Sequence, residues 1–150
     1  MDQLYYNVNE LMEGLRFEYL STGQKIIRKA IVFHETRIPF LYSLTLGDID
    51  ADGKLSTESR SNNGDMAKNL ATVHRTVEQF LINNPRALII FSGNTASKTR
   101  LYQIAIAKYL DHFLDRYLIW GIRCDNDQRE TFQLNQAYQG FFITNKVLSS

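Results

Sequence analysis

A single cysteine, Cys124, excludes an intramolecular disulfide. Two prolines and eight glycines in 150 residues exclude collagen-like and proline-rich low-complexity chains. No apolar run approaches the roughly 18 residues that a membrane-crossing helix needs. Neither sign of charge is in excess: 17 Lys and Arg face 16 Asp and Glu, a net charge of +1. The whole molecule therefore has no bias toward nucleic acid or anionic membranes, and a charged site has to be local. The start MDQLYYNVNELMEGL lacks a basic segment followed by an apolar one, so no secretion signal is read and a cytoplasmic protein is expected. Also missing are G-x-S-x-G, H-E-x-x-H, paired cysteines for zinc, and both glycine-rich nucleotide fingerprints. What is there is 44% hydrophobic and 12% aromatic, enough for one soluble domain over 1–150 that buries about 70% of its unfolded surface.

Period-two alternation or short apolar runs predict strands over 16–21, 25–34 and 40–46, with Gly23 and Pro39 as punctuation. An Asp/Gly/Ser-rich stretch from Asp48 to Ser61 reads as a loop, and Asn62-Asn63-Gly64-Asp65 supplies turn and N-cap chemistry. Met66, Leu70, Val73, Val77, Phe80 and Leu81 then make the apolar stripe of a helix ending near Pro85. Ala87 to Phe91 reads as a strand buried on both faces. Asn94 or Thr95 caps a second helix with a stripe of Tyr102, Ala105, Ile106, Tyr109 and Phe113, ending near Asp115. Final strands are expected at 117–122 and 141–144, with 125–139 a polar loop holding a short helical turn. The order β-β-β-α-β-α-β-β predicts a single α+β domain: a mixed, mainly antiparallel sheet with both long helices on one face. Residues 1–15 are expected to form a loosely ordered arm on a core of 16–146.

The segments FEYLSTGQKIIRKAIVF, YSLTLGD, NNGDMAKNLATVHRTVEQF, IIFSGNTASKTRLYQ and YQGFFITNK resemble a family of small uncharacterised bacterial proteins, commonest in Bacteroidetes. The NNGD helix start and the strand-G-(S/N)-T-x-(A/S)-(R/K)-T-R-L-Y segment are its most specific parts. Asn94 and Ser97-Lys98 stand where the family pattern shows Ser and Ala-Arg, both chemically mild changes. The resemblance implies one bacterial cytoplasmic domain of shared architecture and brings no mechanism.

The candidate site rests on local physics. From Ser92 through Gly93, Asn94 and Thr95 to Lys98, Thr99 and Arg100 the chain passes from strand to helix, where unpaired N–H groups and the positive end of the helix dipole meet. No acidic residue falls between Asn94 and Tyr109, so an anion such as a phosphate is the expected ligand, with Asn62 and Asn63 as further contributors. The plain reading of Asn62 to Asp65 is a tight turn and cap. Asp48, Asp50 and Asp52 with Gly53 match the start of a calcium loop. Ser59, however, stands where that loop needs a bidentate Glu, which leaves calcium the weaker expectation and a turn the stronger. The three histidines, His34, His74 and His112, fall on separate elements. Asp65 and His74 are weak acid/base candidates and no catalytic set emerges. The leading expectation is a non-enzymatic binding or interaction domain for a phosphate-bearing small molecule or a protein partner. The alternatives are an enzyme acting on a phosphorylated small molecule or nucleic acid, and a homodimeric structural protein.

Overall fold

The computed structural model describes residues 4–56, 63–91, 96–108 and 115–146. The chain packs as two compact units, Met1–His34 with Thr45–Ile82 and Glu35–Leu44 with Asn83–Ser150. Among the described residues there are nine strands and two long helices, and one strand, β4 (Leu41–Ile49), runs from the second unit into the first.

In the first unit the alternation at 16–21 does what period two dictates: Phe17, Tyr19 and Ser21 are buried, and Arg16, Glu18 and Leu20 are not. This strand, β2 (Arg16–Ser21), pairs antiparallel with β3 (Ile27–Glu35), Arg16 opposite Val32 and Ser21 opposite Ile27. A short β1 (Asn9–Leu11) pairs antiparallel with the other edge of β2, and β5 (Leu55–Ser56) pairs with the end of β4. The stretch read as a loop from Asp48 therefore continues β4 to Ile49 and returns as β5. The reason is packing: Leu55 lies against a buried cluster of Ala30, Val32 and Ile49, which a two-residue strand cannot announce by period.

Helix α1 (Met66–Asn83) covers the opposite face of β2 and β3, with Phe80 stacked on Phe33 at 3.9 Å between centroids and Phe17 edge-on to Phe33. Its buried residues are Thr72, Thr76, Val77, Phe80 and Leu81, whereas Met66, expected in the stripe, is 53% exposed in the first turn. Two threonines enter the core because each hydroxyl donates to a carbonyl one turn back, Thr72 to Lys68 at 2.7 Å and Thr76 to Thr72 at 2.8 Å. The turn before α1 needs Gly64, whose φ is +76°. Gly64→Ala is expected to lower stability by about 1 kcal/mol, read as a fall in melting temperature, since a Cβ there meets the left-handed penalty.

In the second unit β4 pairs parallel with β6 (Leu88–Phe91), Leu41 opposite Leu88. β6 pairs antiparallel with β9 (Tyr138–Asn145), and β9 with β7 (Tyr117–Arg123). Helix α2 (Ala96–Lys108) packs on this sheet with Tyr102 edge-on to Phe91 at 5.4 Å, and Ile106 is buried on the same stripe. Tyr109 and Phe113 of the expected stripe lie outside the described residues. The polar stretch 125–139 is not only loop: it contains β8 (Arg129–Thr131), antiparallel to β7. Arg-Glu-Thr has no apolar pattern to betray a strand. It is held by its ladder and by Glu130, which accepts from Arg123 at 2.9 Å and from the Tyr138 hydroxyl at 2.6 Å. One parallel pairing among antiparallel ones, with two helices, makes the fold α+β with a mixed, mainly antiparallel sheet.

Candidate functional site

The polar centre of the first unit is built where Asn63, Gly64 and Asp65 meet the hairpin between β2 and β3. The Gln24 N–H donates to the Asn63 carbonyl at 2.9 Å. The Asn63 side chain then acts as a piece of backbone: its Oδ1 accepts the Lys25 N–H at 2.7 Å, and its Nδ2 donates to the Lys25 carbonyl at 2.8 Å and to Ser21 Oγ at 3.0 Å. Asn63 is 3% exposed. The hairpin approaches so closely that a Cβ on Gly23 would stand 1.7 Å from the Asn63 carbonyl oxygen.

Two residues on, the Asp65 carbonyl accepts the Asn69 N–H at 3.0 Å and opens α1. Its carboxylate is surrounded by donors. Oδ2 accepts from the Tyr6 hydroxyl and from Ser21 Oγ, the latter at 2.5 Å, while Oδ1 accepts from Asn69 Nδ2 at 2.8 Å. Asn69 Oδ1 in turn accepts from the Tyr19 hydroxyl at 2.8 Å. Tyr6 stacks on Tyr19 at 5.4 Å, its N–H donates to Thr72 Oγ1, and Lys68 Nζ lies 4.4 Å from its ring centre. The ion pair of Lys29 and Asp48, 2.8 Å, belongs to the same unit.

These contacts fix the protonation states. Burial alone raises the Asp65 carboxyl, but hydrogen bonds from Ser21, Tyr6, its own backbone and Asn69 outweigh it, and the group sits below the ordinary Asp value. Burial first, and then the nearby charges of Asp65 and Asp48, push the Tyr19 hydroxyl well above the ordinary tyrosine value. The cluster thus holds a carboxylate with both oxygens engaged beside a phenol that keeps its proton. That suits it to fixing Tyr6, the hairpin and the helix start together.

The remaining sequence-predicted residues that are described lie on other elements. Asn62, Ser92, Gly93, Asn94 and Thr95 lie outside the described residues, as do His112, Ser59 and the side chain of Lys98. On α2, Thr99 is buried and Arg100 exposed, and the first turn carries no acid. His74 Nδ1 stands 3.5 Å from Glu78 Oε1 one turn along α1, and His34 is exposed at the end of β3. Asp50 turns its carboxylate back onto the N–H groups of Asp52 and Lys54, both at 2.9 Å, with Gly53 at φ +81°. This is the Asp turn closing the β4–β5 hairpin. Asp48 belongs to Lys29, and among the described residues no three His, Cys, Asp or Glu side chains gather to hold a metal ion.

Sequence spacing missed Tyr6 and Ser21 as partners of Asp65, Tyr19 as partner of Asn69, and Tyr138 as partner of Glu130. The second set sits at β8, where Arg123 lies between Asp125 at 2.7 Å and Glu130 at 2.9 Å. Burial and the Glu130 hydrogen bond push the Tyr138 hydroxyl up to about 12. No helix among the described residues is long and apolar enough to cross a membrane.

These features define an α+β protein organised around hydrogen-bonded polar clusters. The chain belongs to a family of unknown function, DUF6934, whose model matches residues 2–146. No curated protein and no solved structure matches it. The sequence resemblance to a family without an assigned activity is borne out at that level.

Proposed function

We propose that the protein is a non-enzymatic binding protein of the bacterial cytoplasm that takes a phosphate-type anion at the start of α2, with Ser92 to Thr95, Lys98, Thr99 and Arg100 as its contacts. The observation that carries this reading is the composition of the first turn of α2, which has two cationic residues and no acid where the helix dipole already favours negative charge. Cations there oppose the dipole, and a bound anion relieves the opposition. Asn63 is left out of the site, because its amide is taken up by Lys25 and Ser21. Binding is favoured over an enzyme on a phosphorylated substrate because the acid/base candidates have other work: Asp65 holds three donors, and His74 stands beside Glu78.

The test is a thermal-shift series with inorganic phosphate and nucleotides on the wild type and on Lys98→Ala/Arg100→Ala. A ligand at a hundred times its dissociation constant stabilises by about 2.7 kcal/mol. Stabilisation in the wild type that disappears in the variant is the expected result. An unchanged melting temperature across the series, or equal shifts in both proteins, rejects the site.

A further inference from the structure

Helix α2 occupies one face of the second unit's sheet, the face of Phe91 and Phe141, where Tyr102 packs. The register fixes what stands on the other. One row across the strands is Ser43, Ile90, Phe142, Trp120 and Thr131, each directly opposite the next. Beside it run Leu88, Thr144 and Leu118 on one side and Ile122 with Arg129 on the other. Burial alternates accordingly: Ile89, Ile119, Phe141 and Ile143 are buried, whereas Ile90, Trp120 and Phe142 keep part of their surface in water and Leu118 is 40% exposed. A sheet with one solvated face normally turns polar residues outward. Here that face carries two adjacent aromatic rings in an aliphatic surround.

Among the described residues the charged side chains in these rows are cationic. Arg129 is exposed and its guanidinium lies 5.9 Å from the Phe142 ring centre. One row beyond Leu118 and Thr144, Arg116 and Lys146 stand opposite each other, both exposed. A depression of about 460 Å³ beside Trp120 is lined by Trp120, Arg129, Glu130 and Thr131. Its one carboxylate, Glu130, is held by Arg123 and Tyr138. No acidic residue occupies these rows among the described residues.

We propose that this face binds single-stranded nucleic acid, with bases stacked on Trp120 and Phe142 and the backbone phosphates running past Arg129 toward Arg116 and Lys146. Aromatic rings supply stacking that any base satisfies, and cations at the rim supply the phosphate contacts. Charge decides against a second copy of the chain, because face-to-face pairing about a two-fold axis sets cation rows against each other, whereas a polyanion neutralises them.

The molecule carries its own reporter, since Trp120 is the only tryptophan. The full chain is titrated with fluorescein-labelled 12-mers of deoxythymidine and uridine while tryptophan emission and anisotropy are followed. The expected result is quenching of Trp120 together with a rise in anisotropy. Three phosphate contacts on a single strand imply an affinity roughly 20-fold weaker at 200 mM than at 50 mM salt. Arg129→Glu and Thr131→Glu, both at exposed positions, are each expected to weaken binding about tenfold while melting like the wild type. The proposal is overturned if oligonucleotide at about 0.1 mM leaves Trp120 emission and anisotropy unmoved, this being the weak end of non-specific affinities. It is equally overturned if both variants bind like the wild type, or if light scattering shows a dimer that Thr131→Glu dissociates. Loss of binding confined to Lys98→Ala/Arg100→Ala would move the contact to α2 and reject this face, so the two sites fail separately.

Discussion

Asn63→Ala is expected to destabilise the protein by about 3 kcal/mol, one of the largest effects of any single side chain outside the aromatic core. The substitution leaves the Lys25 N–H, the Lys25 carbonyl and Ser21 Oγ without the partners that Asn63 gives them. Each group left unpaired away from water costs about 1–3 kcal/mol, while a typical intact hydrogen bond contributes only about 1. Asn63→Asp separates pairing from volume. It keeps an acceptor for the Lys25 N–H, turns the donor into a second acceptor against the Lys25 carbonyl, and buries a charge near Asp65. It is therefore expected to be no milder than alanine. Gly23→Ala attacks the same junction from the hairpin side, where a methyl overlaps the Asn63 carbonyl and nothing flexible can give way. Urea unfolding reads all three as a lower midpoint at unchanged slope. A loss below about 1 kcal/mol for Asn63→Ala would mean that water replaces the amide and that the junction is not the anchor described.

How much of this was legible in the sequence follows from what leaves a periodic trace. The alternation through Phe17, Tyr19 and Ser21, the apolar run before Phe91 and the helical spacing of Val77, Phe80 and Leu81 are each long enough to fix element type, and the α+β class follows from them. β1, β5 and β8 have two or three residues each, too few for any period, and exist because a neighbouring ladder recruits them. Thr72 and Thr76 break the hydrophobic rule without breaking the helix, since their hydroxyls are satisfied internally. Asn63 has the composition of a turn residue and sits in a turn; that it is also a buried bridge depends on contacts 38 and 42 residues away. Asp65 was visible as a candidate acid, but the donors that decide its chemistry, Tyr6 and Ser21, stand 59 and 44 residues distant. The rows around Trp120 were hidden for a related reason. Strand type can be read from each segment, but which aromatics end side by side on the face away from α2 depends on the pairing of β6, β9, β7 and β8.

The second large effect belongs to Asp65 and has a pH signature. Its carboxyl is held below the ordinary value in the folded chain, against burial, by Ser21, Tyr6, its own backbone and Asn69. A depressed folded value means that the unfolded chain takes up the proton first as pH falls. The stabilisation is therefore fully present above the unfolded value near 3.8 and drains away as pH drops through the folded one. Asp65→Asn should lose about 3 kcal/mol at pH 7, because an amide nitrogen replaces an oxygen that accepts from its neighbours, and hydrogen bonds to a charged group are each worth about 1.5–3 kcal/mol. The gap between wild type and variant should close below pH 4. The acid limb will not vanish in Asp65→Asn, since Asp125 and Glu130 are also held low, Asp125 mainly by Arg123 and Glu130 by Tyr138 and Arg123. The informative quantity is thus the difference between the two stability curves. A difference constant from pH 7 to pH 2.5 would show that Asp65 acts by shape alone. A difference that collapses with acid would show that its charge ties the start of α1 to Tyr6 and Ser21. Tyr6→Phe provides the cross-check: it removes one of the two hydroxyls on Oδ2, so it should lower stability by about 1–2 kcal/mol and narrow the pH-dependent part without abolishing it.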